Sequence, residues 1–172
     1  MNTNKTILVV LVLTFSLMML LGCTTPVMTD KESFSKLTQL QQKYFVVNGY
    51  SSNLTTMNDY ISQLALLRAK SGGESAKVIE TELYSAEAFY YLNKTIVDSA
   101  PLNSKQIKCS SNEVQNVISS ITLAFDSSSK AVALINSLNS TQQSYLRVNQ
   151  SEMILGQQEE INQIKKFFEE KC

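Results

Sequence analysis

The chain has 172 residues, 15 basic against 15 acidic, and no histidine. That balance gives no cationic footprint for nucleic acid, and without histidine there is no Ser-His-Asp or Cys-His catalysis and no His-containing zinc or di-iron site. Five Gly and two Pro are too few for a turn-dense β fold.

Lys5 is the only charge before Asp30, and residues 7–21 are almost wholly apolar. A positive start followed by an apolar run of this length is the pattern of a signal peptide. The run ends in Leu20-Leu21-Gly22-Cys23. This tetrad resembles the lipobox of prokaryotic lipoproteins, with Leu21 where Ala or Ser is commoner. The resemblance covers residues 1–23 only. It implies cleavage before Cys23, lipid on its sulfur, and a membrane partner through that lipid. One acyl chain binds only marginally, whereas two or three hold a protein firmly. An uncleaved anchor with an incidental Cys23 and a secreted form are the alternatives, and all three place the domain outside the cytoplasm. The expected organisation is a signal peptide over 1–22, lipidated Cys23 with a short tether over 23–29, and a helical domain over 30–172. The mature chain of 150 residues carries 14 basic against 15 acidic side chains once Lys5 is removed, enough chain for one core.

Thr29-Asp30-Lys31-Glu32 is a capping box. It predicts a first helix from about Asp30 to Val47, with Leu37, Leu40, Tyr44 and Val47 on one face and Asn48-Gly49 as a left-handed stop. A second helix spans about Ser52 to Lys70 on Leu54, Met57, Ile61, Leu64 and Leu67. A third runs from about Glu74 to Ser99, and its two stripes (Ile79, Leu83, Ala86, Tyr90, Val97; Phe89, Leu92, Ile96) predict a central position. Pro101 ends it.

Ser110 and Glu113 form a second capping box. The fourth helix steps through Val114, Ile118, Ile121, Phe125, Ser128, Val132 and Ile135. A turn at Asn139–Thr141, with Ser140 and Gln143 as a weaker capping pair, leads to a fifth helix reaching the C-terminus, with Tyr145, Val148 and Leu155 as core in its first half and Ile154, Ile161, Ile164 and Phe168 in its second. A change of apolar phase near Gly156 predicts a kink. No segment alternates with period two. The expected fold is all-α, an up-and-down antiparallel bundle of four to five helices.

Cys109 and Cys172 remain as a pair in an oxidising compartment. They lie symmetrically about the Asn139–Thr141 turn, so straight antiparallel arms bring them to one end, which predicts a disulfide. Two free thiols and a redox switch are the alternatives, the latter lacking a C-x-x-C or an activating His.

Glu80, Glu82 and Glu87 on the third helix read as a solvated face. A spacing of seven residues, about 10 Å along one helix, suits no glycosidase pair. Tyr84, Tyr90 and the seam residue Ser128 mark an inter-helix ligand pocket. The bland account of Ser128 is a bond to its own helix backbone. Gln142, Gln143, Gln150, Gln157 and Gln158 make the fifth helix a polar, solvated face. Asn53, Asn93, Asn139 and Asn149 head glycosylation sequons. No metal site and no cofactor motif is present.

The expected function is a non-enzymatic protein-interaction or scaffold lipoprotein of the cell envelope, with an envelope protein as partner and no nucleic acid. The alternative is a small-ligand receptor or sensor module with an inter-helix pocket.

Overall fold

The computed structural model describes residues 27–44, 46, 49–100, 109–146 and 150–171. The expected signal peptide over 1–22, Cys23, Asn149 and Cys172 lie outside them. The described residues form six helices: α1 (Asp30–Lys43), α2 (Leu54–Lys70), α3 (Gly73–Ser99), α4 (Asn112–Ile135), α5 (Ser140–Gln143) and α6 (Gln150–Lys171). They contain an isolated parallel bridge, Met28 to Ser71. None of these helices is long and apolar enough to cross a membrane. The all-α expectation holds. The count exceeds four to five because the expected fifth helix is two pieces, α5 and α6.

Helix ends follow local chemistry. The Thr29 hydroxyl accepts from the Glu32 N–H, while the Glu32 carboxylate accepts from the Thr29 N–H at 3.0 Å. α1 stops at Lys43 with Tyr44 as C-cap, earlier than Val47. Gly49 takes φ 125° in the connection that follows. Asn53 caps α2 through its side chain at 3.0 Å from the Thr56 N–H. The two later caps sit one residue from their expected places. Ser111, not Ser110, caps α4, and Asn139 with Gln142, not Ser140 with Gln143, forms the capping box of α5. In both, neighbouring Ser or Asn side chains compete for the same orphan amides, and backbone geometry selects between them.

α6 runs unbroken through Gly156, so no helix break accompanies the apparent phase change. Its buried positions include Gln150, Ile154, Gln157, Ile161 and Phe168, and with half-buried Ile164 they make one stripe at three and four spacing. Two glutamines occupy seam positions, and Leu155, read as core, is exposed. Polar residues inside the stripe create the apparent slip.

α3 and α4 make the most extensive helix pair, with α2 on α3 and α6 on α4. Their direction is set by two contacts. Ser127 meets Glu87 at 3.1 Å, and the Lys130 ammonium lies 5.1 Å from the Tyr84 ring centre, so the two helices run antiparallel. The buried face of α4 is rich in small residues: Ser120, Ala124, Ser127, Ser128 and Ala131. Ser85, Ala86 and Ala88 are buried on α3. Small side chains let the two backbones approach closely. Phe125 and Val132, read as seam, are half-buried beside that contact. The main core joins α1, α2 and parts of α3, α4 and α6 around Leu37, Tyr60, Leu64, Ile79 and Ile154. A smaller cluster of Leu92, Ile121, Ala124 and Ile161 continues it. Ile96 and Val97, both read as apolar stripe, face outward at 49% and 57% exposure, while Thr95 beside them is buried.

One corner fastens the entry of the chain. The Met28 N–H donates to the Lys70 carbonyl at 2.8 Å. Asp30 then accepts from the Ser75 N–H at 2.9 Å, so the first residue of α1 caps the start of α3. Contact with the Ser75 hydroxyl and this amide holds the Asp30 carboxyl below the ordinary range. A carboxylate lowered in the folded state adds stability above the ordinary carboxylate pKa, and that stability is lost as pH falls through the lowered value. Wild type and Asp30→Asn therefore differ in stability at neutral pH and converge in acid. Urea unfolding across pH 2 to 7 measures this, and a pH-independent gap between the two would refute it.

Candidate functional site

The described residues contain no group of three or more Cys, Asp or Glu side chains arranged to hold a metal ion. The polar feature of the interior is Glu82, fully buried on α3. It stands three residues after Ile79 and four before Ala86, inside the apolar stripe rather than outside it. Its Oε1 accepts from the Tyr60 hydroxyl at 2.8 Å and the Tyr50 hydroxyl at 3.2 Å. Its Oε2 accepts from the Gln150 amide at 2.9 Å, and the same amide nitrogen lies 3.0 Å from the Ser85 hydroxyl oxygen. Ser85 in turn donates to the Thr81 carbonyl at 2.7 Å.

Aromatic rings wall this carboxylate. Tyr50 packs against Tyr60 at 6.4 Å and against Phe89 at 5.2 Å between centres. Tyr44 packs on Tyr60 at 5.2 Å, and its hydroxyl donates to Asp59. A buried charge without donors is costly, and with them it becomes a fixed node. Four segments meet here: the α1–α2 connection, α2, α3 and the start of α6.

The three α3 carboxylates thus do not form one solvated face. Glu80 pairs with Arg68 at 2.9 Å across α2 and α3. Glu82 is sealed inside. Glu87 is half-buried and accepts from Ser127 at 3.1 Å. Burial lifts the Glu87 carboxyl above the ordinary range, against the Ser127 hydrogen bond and the charge of Lys130. Tyr91 is raised too, first by burial and then by Glu87.

Tyr84, Tyr90 and Ser128 line none of the concavities at the start of α1, between α1 and α2, or beside Cys109. Tyr84 lies half-buried under Lys130. Tyr90 sits edge-on to Tyr91 at 5.2 Å. Ser128 is fully buried, and its Oγ has no hydrogen-bond partner among the described residues. The expected bond to its own helix backbone is not made. An unpaired buried hydroxyl costs about 1–3 kcal/mol, and Ala is the better helix former by about 0.5 kcal/mol. Ser128→Ala is accordingly expected to raise the thermal midpoint by a few degrees, for a gain of about 1 kcal/mol. A clear drop in midpoint would mean that the hydroxyl is satisfied in solution.

Besides one on Thr29, Lys31, Glu32 and Ser35 at the start of α1, concavities lie in two other places. One of about 350 Å³ runs between α1 and α2. The other, about 630 Å³, lies beside Cys109 on Ile118, Ile121 and Phe168. The other two cysteines, Cys23 and Cys172, lie outside the described residues. Among the sequons, Asn53 and Asn139 are exposed helix caps. The Asn93 amide nitrogen instead donates to the Phe89 carbonyl at 3.0 Å within α3.

Tyr50 lies in a connection and Ser85 is small and polar, so apolar periodicity marks neither, whereas Tyr60 falls on the buried stripe of Met57, Leu64 and Leu67, beside the expected Ile61. Gln150, read as solvated, is 2% exposed. The available signal was a glutamate on the stripe of a helix expected to be central. No family model matches the chain, and no curated protein or solved structure matches it.

Proposed function

We propose that the chain is a membrane-anchored, extracytoplasmic lipoprotein whose helical domain acts as a non-enzymatic protein-interaction or scaffold module of the cell envelope. Lipid on Cys23 holds residues 30–172 at the membrane. The domain is an up-and-down antiparallel bundle, and a Cys109–Cys172 disulfide pins its last arm. No cofactor takes part.

The supporting observation is how the domain divides its chemistry. Glu82, the fully buried carboxylate, is engaged by Tyr50, Tyr60 and Gln150. A carboxylate out of reach of solvent and occupied by donors fits a structural node better than an acid or base for a bound substrate. Meanwhile Ile96, Val97, Leu123, Leu155 and Phe167 turn outward on α3, α4 and α6. Single exposed apolar residues are ordinary, but large apolar side chains on rigid helices are also what the centres of protein interfaces use.

Native mass spectrometry of protein extracted from its own membrane in mild detergent tests the reading. The expected result is a retained protein partner, acyl mass on the chain and a gain of two hydrogens on reduction. Val97→Glu, Leu123→Glu and Leu155→Glu change exposed positions, and at least one should lose the partner while keeping the thermal midpoint. Envelope contacts that survive all such changes would overturn it. The second reading, a small-ligand receptor, draws on the unpaired Ser128 hydroxyl. Ligand-dependent thermal stabilisation would favour it, and its absence across a broad metabolite panel would count against it.

A further inference from the structure

We infer that the groove between α1 and α2 is a docking surface for the anionic phospholipid headgroups of the membrane in which the chain is anchored. The inference rests on the membrane anchorage proposed above.

Placement comes first. Met28 forms one wall of the groove. Its N–H is bonded to the Lys70 carbonyl at 2.8 Å. Val27 lies against the next connection, close enough that a Cβ on Gly72 would sit 2.9 Å from its Cγ1. Five residue steps separate Met28 from Cys23, and at ~3.3–3.6 Å per residue the tether reaches at most ~18 Å. With lipid on Cys23, this wall cannot leave the neighbourhood of the headgroups.

Charge comes second. Lys36 and Lys43, two turns apart on α1, and Lys70 at the end of α2 line the groove, and no acidic side chain does. In a chain with no formal net charge, three ammonium groups along one groove are a local bias. Lys43 donates to the Tyr44 hydroxyl at 3.1 Å, which positions its ammonium, and Asp59 is the nearest opposing charge through that tyrosine. Glu32 faces Lys36 one turn away along α1.

The floor is the third observation. Leu40 is half-buried and Leu66 is 57% exposed between these lysines. Ammonium groups around apolar carbons match a lipid interface, where phosphates lie above glycerol and acyl carbons. A free anion would use the lysines but leave Leu66 in water.

The test uses the full chain, reconstituted into phosphatidylcholine vesicles with or without about 30 mol % phosphatidylglycerol. Lysine acetylation is followed residue by residue by mass spectrometry. Lys36, Lys43 and Lys70 should react about five-fold more slowly in the anionic vesicles, the equivalent of ~1 kcal/mol per lysine at such a surface. Protection should vanish at about 0.5 M salt. The exposed Lys77, Lys130 and Lys166 should not respond to lipid charge. Equal rates at the groove in both vesicles would overturn the inference. So would equal protection of detergent-solubilised chain by glycerol phosphate alone, which would mark a soluble-anion site. The intact mass of the same sample reports whether Cys23 carries lipid, so a failed anchor and a failed groove give different results.

Discussion

Glu82→Ala is expected to lower the thermal midpoint by about 10 °C. The change strips the acceptor from the Tyr50 and Tyr60 hydroxyls and from the Gln150 amide at once. Each unsatisfied buried donor costs about 1–3 kcal/mol, and a cavity among Tyr60, Ile79 and Ala86 adds to that. The losses are not additive within one network, so about 3–5 kcal/mol is the expected sum. At roughly 2–4 °C per kcal/mol for a domain of this size, the shift is readily seen by circular dichroism. Glu82→Gln should lose less. It keeps one oxygen for the tyrosines, but it either leaves the Gln150 amide without an acceptor or turns a second amide toward it. Tyr60→Phe should cost about 1 kcal/mol. A drop under 3 °C for Glu82→Ala would mean that the cluster is not the node described.

Cys109→Ser is the second large effect. If Cys109 is joined to Cys172, the bond closes a loop of about 64 residues, and the chain-entropy account assigns it roughly 4 kcal/mol. The substitution should lower the midpoint by about as much as Glu82→Ala. Hydrogen exchange should rise first in the last turns of α6, where Phe168 packs on Val114 and Val117. Non-reducing peptide mapping identifies the partner. A Cys109 peptide cross-linked elsewhere, or found as a free thiol, would remove the pinned-hairpin account. If the bond pins α6, it also holds Ile154 and Gln150 in place, and the two variants should then show coupling in a double-mutant cycle.

The helices were legible because their signals are local. Thr29 with Glu32, and Asn53 ahead of α2, act over three residues. Such caps need no tertiary partner to choose them. The stripe of α2 was legible for the same reason: Met57, Leu64 and Leu67 are large, apolar and regularly spaced. Reading failed where the buried position was small or polar. Ala124 and Ala131 are buried in core clusters that include Leu92 and Ala86 of α3, yet hydrophobic periodicity gives more weight to Phe125 and Val132 beside them. Gln150 and Gln157 hid the register of α6, so Leu155 was read inward. A glutamine is polar to any scale, and whether it is solvated depends on what faces it.

The sequence by itself determined the all-α class, most of the helix boundaries and the lipobox-like tetrad at Cys23. These depend on contacts within a few residues and on composition. Only the tertiary structure decided that Glu82 lies inside. Its partner Tyr60 is 22 residues away, and Gln150 is 68 residues away. A buried carboxylate is stable only where separate segments deliver donors to the same point, and that convergence is a property of packing, not of any window of the chain. The groove between α1 and α2 has the same origin. Lys36 and Lys70 are 34 residues apart in sequence, and the Met28–Lys70 hydrogen bond helps make them two walls of one surface.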